Sequence, residues 1–352
     1  MTQKYTRRLE EIEAELDRWL PAEAGLDWAA GIFPDLGGEL GVEHFQALAA
    51  PGKDLISRGG KRWRPLLMTL VCETFGGGDA ALPLAPLVEF CHNASLIHDD
   101  IEDNSDERRG GPAVHIAYGV DTAINTGCFL YFLALACIDT WAAGLPGRYE
   151  LSAEKAQACK ADLYSLWAGY LRKLHLGQAV DIRWHRDAGI IPSLEEYYAM
   201  CKLKTGCLAR FAAELGVFAA GAVSRAPAEA RELYEAAEKL GVGYQILDDV
   251  KNLTGGIRGK KRGDDVVEGK KSLPMILYLQ RYPEKKDQVL NCFHIARRGG
   301  VAMAEVEELI RVFYTAGVLT EADERGRALI EEARSVFAAR ADSLAGLIDL
   351  MI

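Results

Sequence analysis

Two pairs of adjacent aspartates stand at the carboxyl ends of long apolar segments, and they constrain the fold more than any other feature of the chain. The first pair is Asp99–Asp100, with Asp103 one turn further on, and the second is Asp248–Asp249. At about 3.6 residues per turn, Asp99 and Asp103 fall on one helix face with Asp100 beside them. Like charges at this spacing destabilise a helix, so a helix that keeps them is expected to bind cations.

Helical patterning continues along almost the whole chain. From about residue 43 one helical pattern follows another, and the sequence shows no sustained strand alternation. Some segments are apolar around much of their circumference, which predicts burial in the centre of a bundle: 82–104, 120–142 and 228–253. We expect one all-α domain over residues 1–352, in which residues 1–44 form an N-terminal helix and loop extension.

Local signals predict where several helices begin and end. Residues 193–196, Ser-Leu-Glu-Glu, follow a proline and match a capping box. Residues 320–323, Thr-Glu-Ala-Asp, predict another helix start in a similar way. Glycines at 144 and 147 predict a break between helices.

Charge and cysteine content narrow the function classes. The net charge of −10 argues against a nucleic-acid partner, because recognition of a phosphate backbone requires excess lysine and arginine. The eight cysteines include no CxxC pair and no spacing typical of a zinc site. We interpret them as reduced core residues of a cytoplasmic protein.

Neither a secretory signal nor a membrane span is expected. The first ten residues are too charged for a secretory signal. The longest apolar run, Cys128 to Ile138, is shorter than the ~18 residues that a spanning helix needs.

The two aspartate pairs together predict a metal site. Buried helix ends that direct aspartates into one cavity would provide only oxygen ligands, and carboxylates suit Mg²⁺ far better than zinc. Each pair alone is equally consistent with a solvated helix end. Both pairs follow apolar runs and precede basic residues, which favours metal binding.

Basic residues form local clusters in this acidic chain. Lys61 and Arg64 lie three residues apart near a predicted helix start, and Arg108 and Arg109 follow the first aspartate motif. A glycine-rich loop over residues 255–271 adds further lysines and arginines. Clustered cations that also donate hydrogen bonds are what phosphate oxygens need, so we expect a phosphorylated ligand.

The glycine-rich loop is not a nucleotide-binding P-loop. Lys261, and neither serine nor threonine, follows Gly259–Lys260, and Thr254 stands where the first glycine is required. The loop also follows a predicted helix and not a strand, which excludes an ATPase of that class.

The motifs resemble those of the trans-isoprenyl diphosphate synthases, the polyprenyl synthetase family. The resemblance extends from about residue 45 to 290 and includes GGKxxRP at 59–65, DDxxD at 99–103, RRG at 108–110, GQ at 177–178, KT at 204–205 and QxxDD at 245–249. It implies an isoprenoid synthase-like fold, a single large helical bundle around a central cavity, and a homodimer. The implied reaction condenses isopentenyl diphosphate with an allylic diphosphate and uses several Mg²⁺ ions per active site.

The resemblance also assigns roles to individual residues. It implies Mg²⁺ binding by Asp99, Asp100, Asp103, Asp248 and Asp249. It implies that isopentenyl diphosphate is held by Lys61, Arg64, His92 and Arg109, and the allylic diphosphate by Arg108, Lys204 and Lys260. Thr205 and Gln245 are then expected near the reacting carbons.

Some positions allow a second interpretation. Taken singly, a histidine such as His92 is more often a core residue, and a glutamine such as Gln245 more often packs between helices, but their register with the aspartate motifs favours function. Asn252 replaces the last aspartate of the fuller DDxxD pattern in the second motif. An amide oxygen coordinates metal without contributing charge, so we expect retained activity with weaker metal affinity.

Small residues before the first aspartate motif predict the product length. The growing tail is expected to run along the helix that bears Asp99, and each turn of about 5.4 Å corresponds to roughly one five-carbon unit. One and two turns earlier stand Ser95, Ala94 and Cys91, where farnesyl synthases of the family commonly carry an aromatic residue at one of the first two positions. We therefore expect geranylgeranyl diphosphate or a longer product, unless deeper bulk such as Phe90 or Phe129 sets the stop.

Three other functions stay open on the sequence. A farnesyl diphosphate synthase differs only in product length. A terpene cyclase or a head-to-head synthase shares the acidic first motif, but would lack the paired GGKxxRP and RRG motifs that suit a second diphosphate. A catalytically silent regulatory subunit would be expected to have lost an aspartate motif, and both motifs are largely intact here.

Overall fold

The computed structural model describes residues 3–36, 38–224, 230–256 and 261–351. The first helices are α1 (Gln3–Trp19), α2 (Leu26–Ile32), α3 (Val42–Ser57), α4 (Trp63–Thr74), α5 (Ala85–Glu102), α6 (Val114–Tyr118), α7 (Val120–Tyr149) and α8 (Ala153–Arg186). They are followed by α9 (Leu194–Cys201), α10 (Cys207–Ser224), α11 (Arg231–Thr254), α12 (Asp264–Glu268), α13 (Leu273–Arg281), α14 (Lys286–Gly299), α15 (Ala304–Thr315), α16 (Val318–Ala338) and α17 (Asp342–Asp349). The expected all-α fold class is confirmed.

Short elements complete the described chain. Strands β1 (Glu107–Arg108) and β2 (Gly111–Pro112) form a small antiparallel hairpin, in which Glu107 pairs with Pro112. Single 3₁₀ turns cover Leu82–Leu84 and Pro283–Lys285. A π-helical turn, Lys202–Gly206, separates α9 from α10.

The chain forms two compact units. The first contains residues 1–169, 211–231 and 340–352, and the second contains residues 170–210 and 232–339. The expectation of one domain over the whole chain stays a prediction.

In the first unit, α5 packs along α7, and α1, α3 and α4 also contact α5. The buried side of α5 includes Phe90, Cys91, Ala94 and Ile97, none of which exposes any surface. Burial of several such side chains contributes about 1.5–3 kcal/mol for each large one, so α5 is firmly held. Its last turn carries the first aspartate motif, and the packing therefore fixes where those carboxylates lie.

In the second unit, one apolar cluster joins the carboxyl half of α11 to the helices that follow it. Ile246 and Val250 of α11 belong to the same buried cluster as Ile276, Phe313 and Ala322. Asp249 lies between these α11 residues in sequence and is itself buried, so packing of this cluster fixes where the second aspartate pair lies.

Two of the predicted helix boundaries differ from the structure. The capping box is confirmed: the Ser193 hydroxyl accepts from the backbone N–H of Glu196 at 3.2 Å, and Ser193 N donates to the Glu196 carboxylate at 2.7 Å. The start predicted at Thr320 is wrong, because α16 already begins at Val318 after Gly317, whose φ is 75°. The break at residues 144–147 is also wrong, because buried Ala142 and Leu145 hold the last turns of α7 in place.

Two helical segments, Val120–Tyr149 and Leu194–Val223, are long and apolar enough to cross a membrane. Half of the most apolar window of the first and 72% of that of the second are buried inside the protein. Core helices of folded proteins pass the same test, so this is weak evidence for a span. The expected absence of a membrane span stays a prediction.

Candidate active site

The first aspartate motif lies at the carboxyl end of α5. Asp99 and Asp100 belong to its last turn, and Asp103 follows the helix, with its backbone N–H donating to Asp99 O at 2.9 Å. The side chain of Asp100 is fully buried, and its Oδ1 accepts a hydrogen bond from Arg108 Nε at 2.8 Å. Arg108 Nη2 also lies 3.8 Å from Asp99 Oδ2. The structure therefore brings the predicted metal ligands next to a predicted diphosphate-binding arginine.

The β1–β2 hairpin presents Arg108 and Arg109. Arg58 holds the hairpin in place, because its Nη1 donates to Pro112 O at 2.6 Å and to Arg108 O at 3.2 Å. Arg109 has a left-handed φ of 54°, which a residue other than glycine rarely adopts. Such a conformation persists where the surroundings enforce it, and it often marks a functional site.

A cavity of about 170 Å³ lies beside this hairpin in the first unit. Its lining includes the four residues predicted to hold isopentenyl diphosphate, and it comprises Gly60, Lys61, Arg62, Trp63, Arg64, Glu89, His92 and Arg109. Arg64 Nη1 lies 3.4 Å from His92 Nε2. We call this space the cationic cavity.

Burial and neighbouring charges shift the pKa values of two residues of the cationic cavity. Burial lowers the pKa of His92 well below its usual value, and the neighbouring guanidinium groups of Arg64 and Arg109 lower it further. The imidazole is therefore neutral at pH 7. Burial also lowers the pKa of Arg109 to about 10, and Arg62 and Arg108 add to the fall against the opposing effect of Glu89. Several guanidinium groups and a neutral imidazole around one cavity provide hydrogen-bond donors that suit a polyanion such as a diphosphate.

In the second unit, α11 presents Gln245, Asp248 and Asp249. Asp249 is buried and accepts two hydrogen bonds, from Tyr197 Oη at 2.8 Å and from Gln245 Nε2 at 3.0 Å. Gln245 in turn accepts from the Thr205 hydroxyl at 2.7 Å. Thr205 and Gln245, both predicted near the reacting carbons, are thus joined to the second aspartate pair.

The π-helical turn sets the direction of Lys204 and Thr205. A π turn inserts an extra residue into a helix and is frequent at functional sites. Gly177 of the GQ motif packs against this turn, and a Cβ at Gly177 would collide with the backbone nitrogen of Lys204. This close approach explains why a glycine stands there.

Lys204 forms an ion pair with Asp181 of α8, which the sequence analysis did not include among the site residues. Asp181 Oδ1 also lies 2.9 Å from His185 Nε2. Burial alone would raise the pKa of Asp181, but Lys204 and His185 hold it well below its usual range. Asp181 stands four residues after Gly177, on the same helix face, and that spacing was the available signal.

Asn252 and Lys260 follow the second aspartate pair in sequence. Asn252 Oδ1 accepts from the backbone N–H of Asp265 at 3.2 Å, so the amide links the end of α11 to the start of α12. Lys260, predicted to hold the allylic diphosphate, lies outside the described residues.

The predicted chain-length residues differ in their surroundings. Ala94 and Cys91 are fully buried, and Ser95 is partly exposed. Trp167 of α8, a residue that the sequence analysis missed, covers Cys91. No local pattern pairs these two residues, because they lie 76 positions apart.

The predicted metal ligands fit a divalent cation. Among residues 3–36, 38–224, 230–256 and 261–351, no three histidine, cysteine, aspartate or glutamate side chains already converge as a metal site. The predicted ligands nevertheless offer only carboxylate oxygens, which suit a hard cation. Burial raises the pKa of Asp249, and the nearby Asp265 carboxylate raises it further. A bound cation would stabilise the ionised carboxylate of Asp249, so the residues fit Mg²⁺.

Comparison with known proteins agrees with this arrangement. The family model of polyprenyl synthetase matches residues 45–312. The chain is 34% identical to a short chain isoprenyl diphosphate synthase of Methanocaldococcus jannaschii, over 77% of each chain. It is 32% identical to a geranylgeranyl diphosphate synthase of Methanosarcina mazei, over 84% of each chain.

A solved structure shows the same fold. The polyprenyl synthase of Caulobacter crescentus, complexed with calcium and isoprenyl diphosphate, matches 95% of this chain and 96% of its own length, with a TM-score of 0.71 and 25% identity. With two aspartate motifs, a cationic cavity and a family match that spans most of its length, this chain belongs to the polyprenyl synthetase family of prenyltransferases.

Proposed function

We propose that the protein condenses isopentenyl diphosphate with an allylic diphosphate, head to tail and in the trans configuration, to give a longer isoprenyl diphosphate. The observation that carries this proposal is the cationic cavity, where Lys61, Arg64 and Arg109 line one space together with neutral His92. A terpene cyclase has one diphosphate substrate and no need for such a cavity beside its aspartate motif.

The proposed roles of the site residues combine the contacts described within each unit with the resemblance to the polyprenyl synthetase family. Lys61, Arg64 and Arg109 bind the diphosphate of isopentenyl diphosphate, and neutral His92 donates a hydrogen bond. The allylic diphosphate is bound by Arg108, Lys204 and Lys260. Several Mg²⁺ ions, held by Asp99, Asp100, Asp103, Asp248 and Asp249, supply positive charge that neutralises the leaving diphosphate.

The chemistry then needs no protein nucleophile. The allylic C–O bond breaks, the double bond of isopentenyl diphosphate forms the new C–C bond, and a proton is lost to the departing diphosphate. The hydroxyl of Thr205 and the amide of Gln245, linked at 2.7 Å, stabilise positive charge through their oxygens. Apolar helix walls exclude water, which would otherwise quench the carbocation.

The product that we propose is geranylgeranyl diphosphate. Ser95 and Ala94 are too small to stop the tail one turn from Asp99. Two turns from Asp99, at Cys91, the side chain of Trp167 blocks the path of the tail. At about one five-carbon unit per turn, a stop at this second level corresponds to one unit more than farnesyl. The Methanosarcina mazei relative is named a geranylgeranyl diphosphate synthase.

The protein is proposed to work as a homodimer in the cytoplasm, with its chain as one domain. Val120, Ile124 and Phe132 of α7 are spaced by four and eight residues and are 49%, 47% and 68% exposed. They form an apolar stripe on one helix face, with Cys128 between them. Cys128 is exposed, so the expectation that it is a core residue is wrong. Exposed apolar stripes of this kind mark protein interfaces, and a second copy of α7 is a matching surface.

Product analysis tests the proposed function. Purified protein is incubated with Mg²⁺, isopentenyl diphosphate and dimethylallyl, geranyl or farnesyl diphosphate, and the products are identified by mass spectrometry. We expect consumption of isopentenyl diphosphate and accumulation of geranylgeranyl diphosphate from each primer. Farnesyl diphosphate as the end product would correct the length, and diphosphate release without isopentenyl consumption would identify a cyclase. Absence of any turnover would favour the regulatory subunit.

A further inference from the structure

A buried carboxylate lies between two arginines of the cationic cavity. Glu89 of α5 accepts a hydrogen bond from Arg62 Nη1 at 2.9 Å, and both side chains are almost fully buried. The same Glu89 oxygen accepts from Asn93 Nδ2 at 3.0 Å. Asn93 Oδ1 then accepts from Arg109 Nη1 at 2.9 Å. The four side chains form one continuous chain of hydrogen bonds, which we call the Glu89 relay.

Arg62 is held from several directions. Its Nε donates to the Glu13 carboxylate at 2.7 Å, and its Nη2 donates to Ile56 O at 2.6 Å. Its backbone has a left-handed φ of 47° directly before α4. A residue other than glycine keeps this conformation only where its surroundings enforce it. Since Arg62 stands between Lys61 and Arg64, the contacts that hold Arg62 also orient those two cations.

The relay brings together groups that would otherwise repel each other. A Cβ at Gly60 would lie 3.0 Å from Arg62 Nη1 and 3.3 Å from Arg109 Nη2, so both guanidinium groups pack over one glycine. Arg62 contributes to the lowered pKa of Arg109, and Glu89 opposes that fall. A carboxylate in an anion-binding cavity weakens anion binding by repulsion. The presence of Glu89 is therefore explained by the arginines that it holds in place, and not by contact with the bound anion.

We propose that Glu89 and Asn93 are positioning residues for isopentenyl diphosphate: they set the spacing between the Lys61–Arg64 segment and Arg109. The inference rests on the proposed function of the cationic cavity. Glu89 and Asn93 contribute no direct contact to the diphosphate, and act through the arginines that they hold. Loss of the relay is expected to weaken binding of isopentenyl diphosphate and to leave the allylic substrate unaffected.

Steady-state kinetics of Asn93→Ala test the proposal. The variant removes the link from Glu89 to Arg109 without a change in charge. We expect the KM for isopentenyl diphosphate to rise about tenfold, as for the loss of one hydrogen bond to a charged group. The KM for the allylic substrate and kcat are expected to stay within about twofold of the wild type. A purely structural defect would instead lower the active fraction and leave both KM values unchanged.

Two further variants make the result decisive. Thr69→Val is the matched control, because Thr69 is a buried polar residue of α4 whose hydroxyl bonds Leu66 O outside the relay. Its KM values should equal those of the wild type. Glu89→Gln keeps the shape of the side chain and removes its charge, and it decides the outcome if Asn93→Ala does not fold. A selective rise in the KM for isopentenyl diphosphate supports positioning, whereas a lower KM shows that Glu89 acts only by repulsion and overturns the proposal.

Failure of this inference can be told from failure of the proposed function. Isothermal titration with isopentenyl diphosphate alone measures its Kd without turnover. A wild-type protein that neither binds nor consumes isopentenyl diphosphate overturns both. A wild-type protein that turns it over normally, beside Asn93→Ala and Glu89→Gln variants with unchanged KM and Kd, overturns the Glu89 relay alone.

Discussion

Trp167 Nε1 of α8 lies 3.2 Å from the Sγ atom of Cys91 of α5. Cys91 precedes Asp99 by eight residues, a distance of about 12 Å along a helix. The thiol itself is fully buried, and burial raises its pKa to about 12. A tail that grows along α5 therefore meets the indole at this depth and not the small thiol.

We expect Trp167→Ala to lengthen the product. Removal of the indole opens space two turns from Asp99, so products beyond geranylgeranyl diphosphate should accumulate. Chain analysis by mass spectrometry measures the shift, and Trp19→Ala serves as the control because its indole donates to the Glu15 carboxylate within α1. An unchanged product from Trp167→Ala would show that the tail does not reach this residue.

Ser95→Phe should shorten the product to farnesyl diphosphate. Ser95 is partly exposed, so an aromatic ring at this position can extend into the path of the tail. Ala94 is fully buried, and Ala94→Phe is expected to lower stability by about 1–3 kcal/mol through overpacking. Product analysis and thermal melts of both variants separate the two effects. If Ser95→Phe still makes geranylgeranyl diphosphate, Ser95 does not line the path.

Removal of divalent metal should abolish turnover. With EDTA the rate is expected to fall by more than about 100-fold, and Mg²⁺ should restore it. Asp99→Ala and Asp248→Ala should show a similar loss with an unchanged circular dichroism spectrum. Asp79→Asn is a suitable control, because Asp79 is exposed and pairs with Arg148.

Ligand binding gives an independent measurement of the same site. Inorganic diphosphate should raise the Tm of the wild type only when Mg²⁺ is present, because a ligand that binds the folded state alone raises stability. An Asp99→Ala variant with near-normal activity and a normal Tm shift would contradict the metal assignment.

Asp181→Asn should change both stability and its dependence on pH. The pKa of Asp181 is held well below its usual range, chiefly by Lys204 against the effect of burial. Such a carboxylate contributes stability that is fully present above its unfolded pKa of about 3.9 and is lost as the pH falls toward the folded pKa. The wild type should therefore lose stability below about pH 4, and the variant should lose less.

Urea denaturation between pH 2.5 and pH 7 measures this effect. At pH 7 we expect Asp181→Asn to be less stable by about 3 kcal/mol, because a mostly buried Lys204 loses its carboxylate. Asp139→Asn removes an exposed ion pair with Lys160 and should cost less than about 0.5 kcal/mol. Parallel pH profiles for the wild type and Asp181→Asn would contradict the assignment.

Charge on the α7 stripe should disrupt the dimer. Phe132→Glu places a carboxylate on the proposed contact between two copies of α7, and light scattering should then report a monomer. Tyr314→Glu is the control, because Tyr314 is 73% exposed and lies outside the stripe. A wild-type monomer, or a dimeric Phe132→Glu protein, would refute this interface.

The sequence alone determined the fold class, the capping box at Ser193, the two aspartate motifs and the basic clusters that suit a phosphorylated ligand. Each of these depends on periodicity or on residues a few positions apart, which local physics controls. The helix boundaries predicted at Thr320 and Gly144 were wrong because the packing of neighbouring helices outweighed weak local signals.

The tertiary structure alone decided which residues support the site. Trp167 covers Cys91 across 76 positions, Lys204 pairs with Asp181 across 23, and Glu89 holds Arg62 across 27. Asn252 replaces an aspartate in the sequence, yet its amide oxygen bonds the start of α12. Such pairs form because packed helices bring distant side chains together, and apart from the Gly177–Asp181 spacing no local pattern indicates which residues meet.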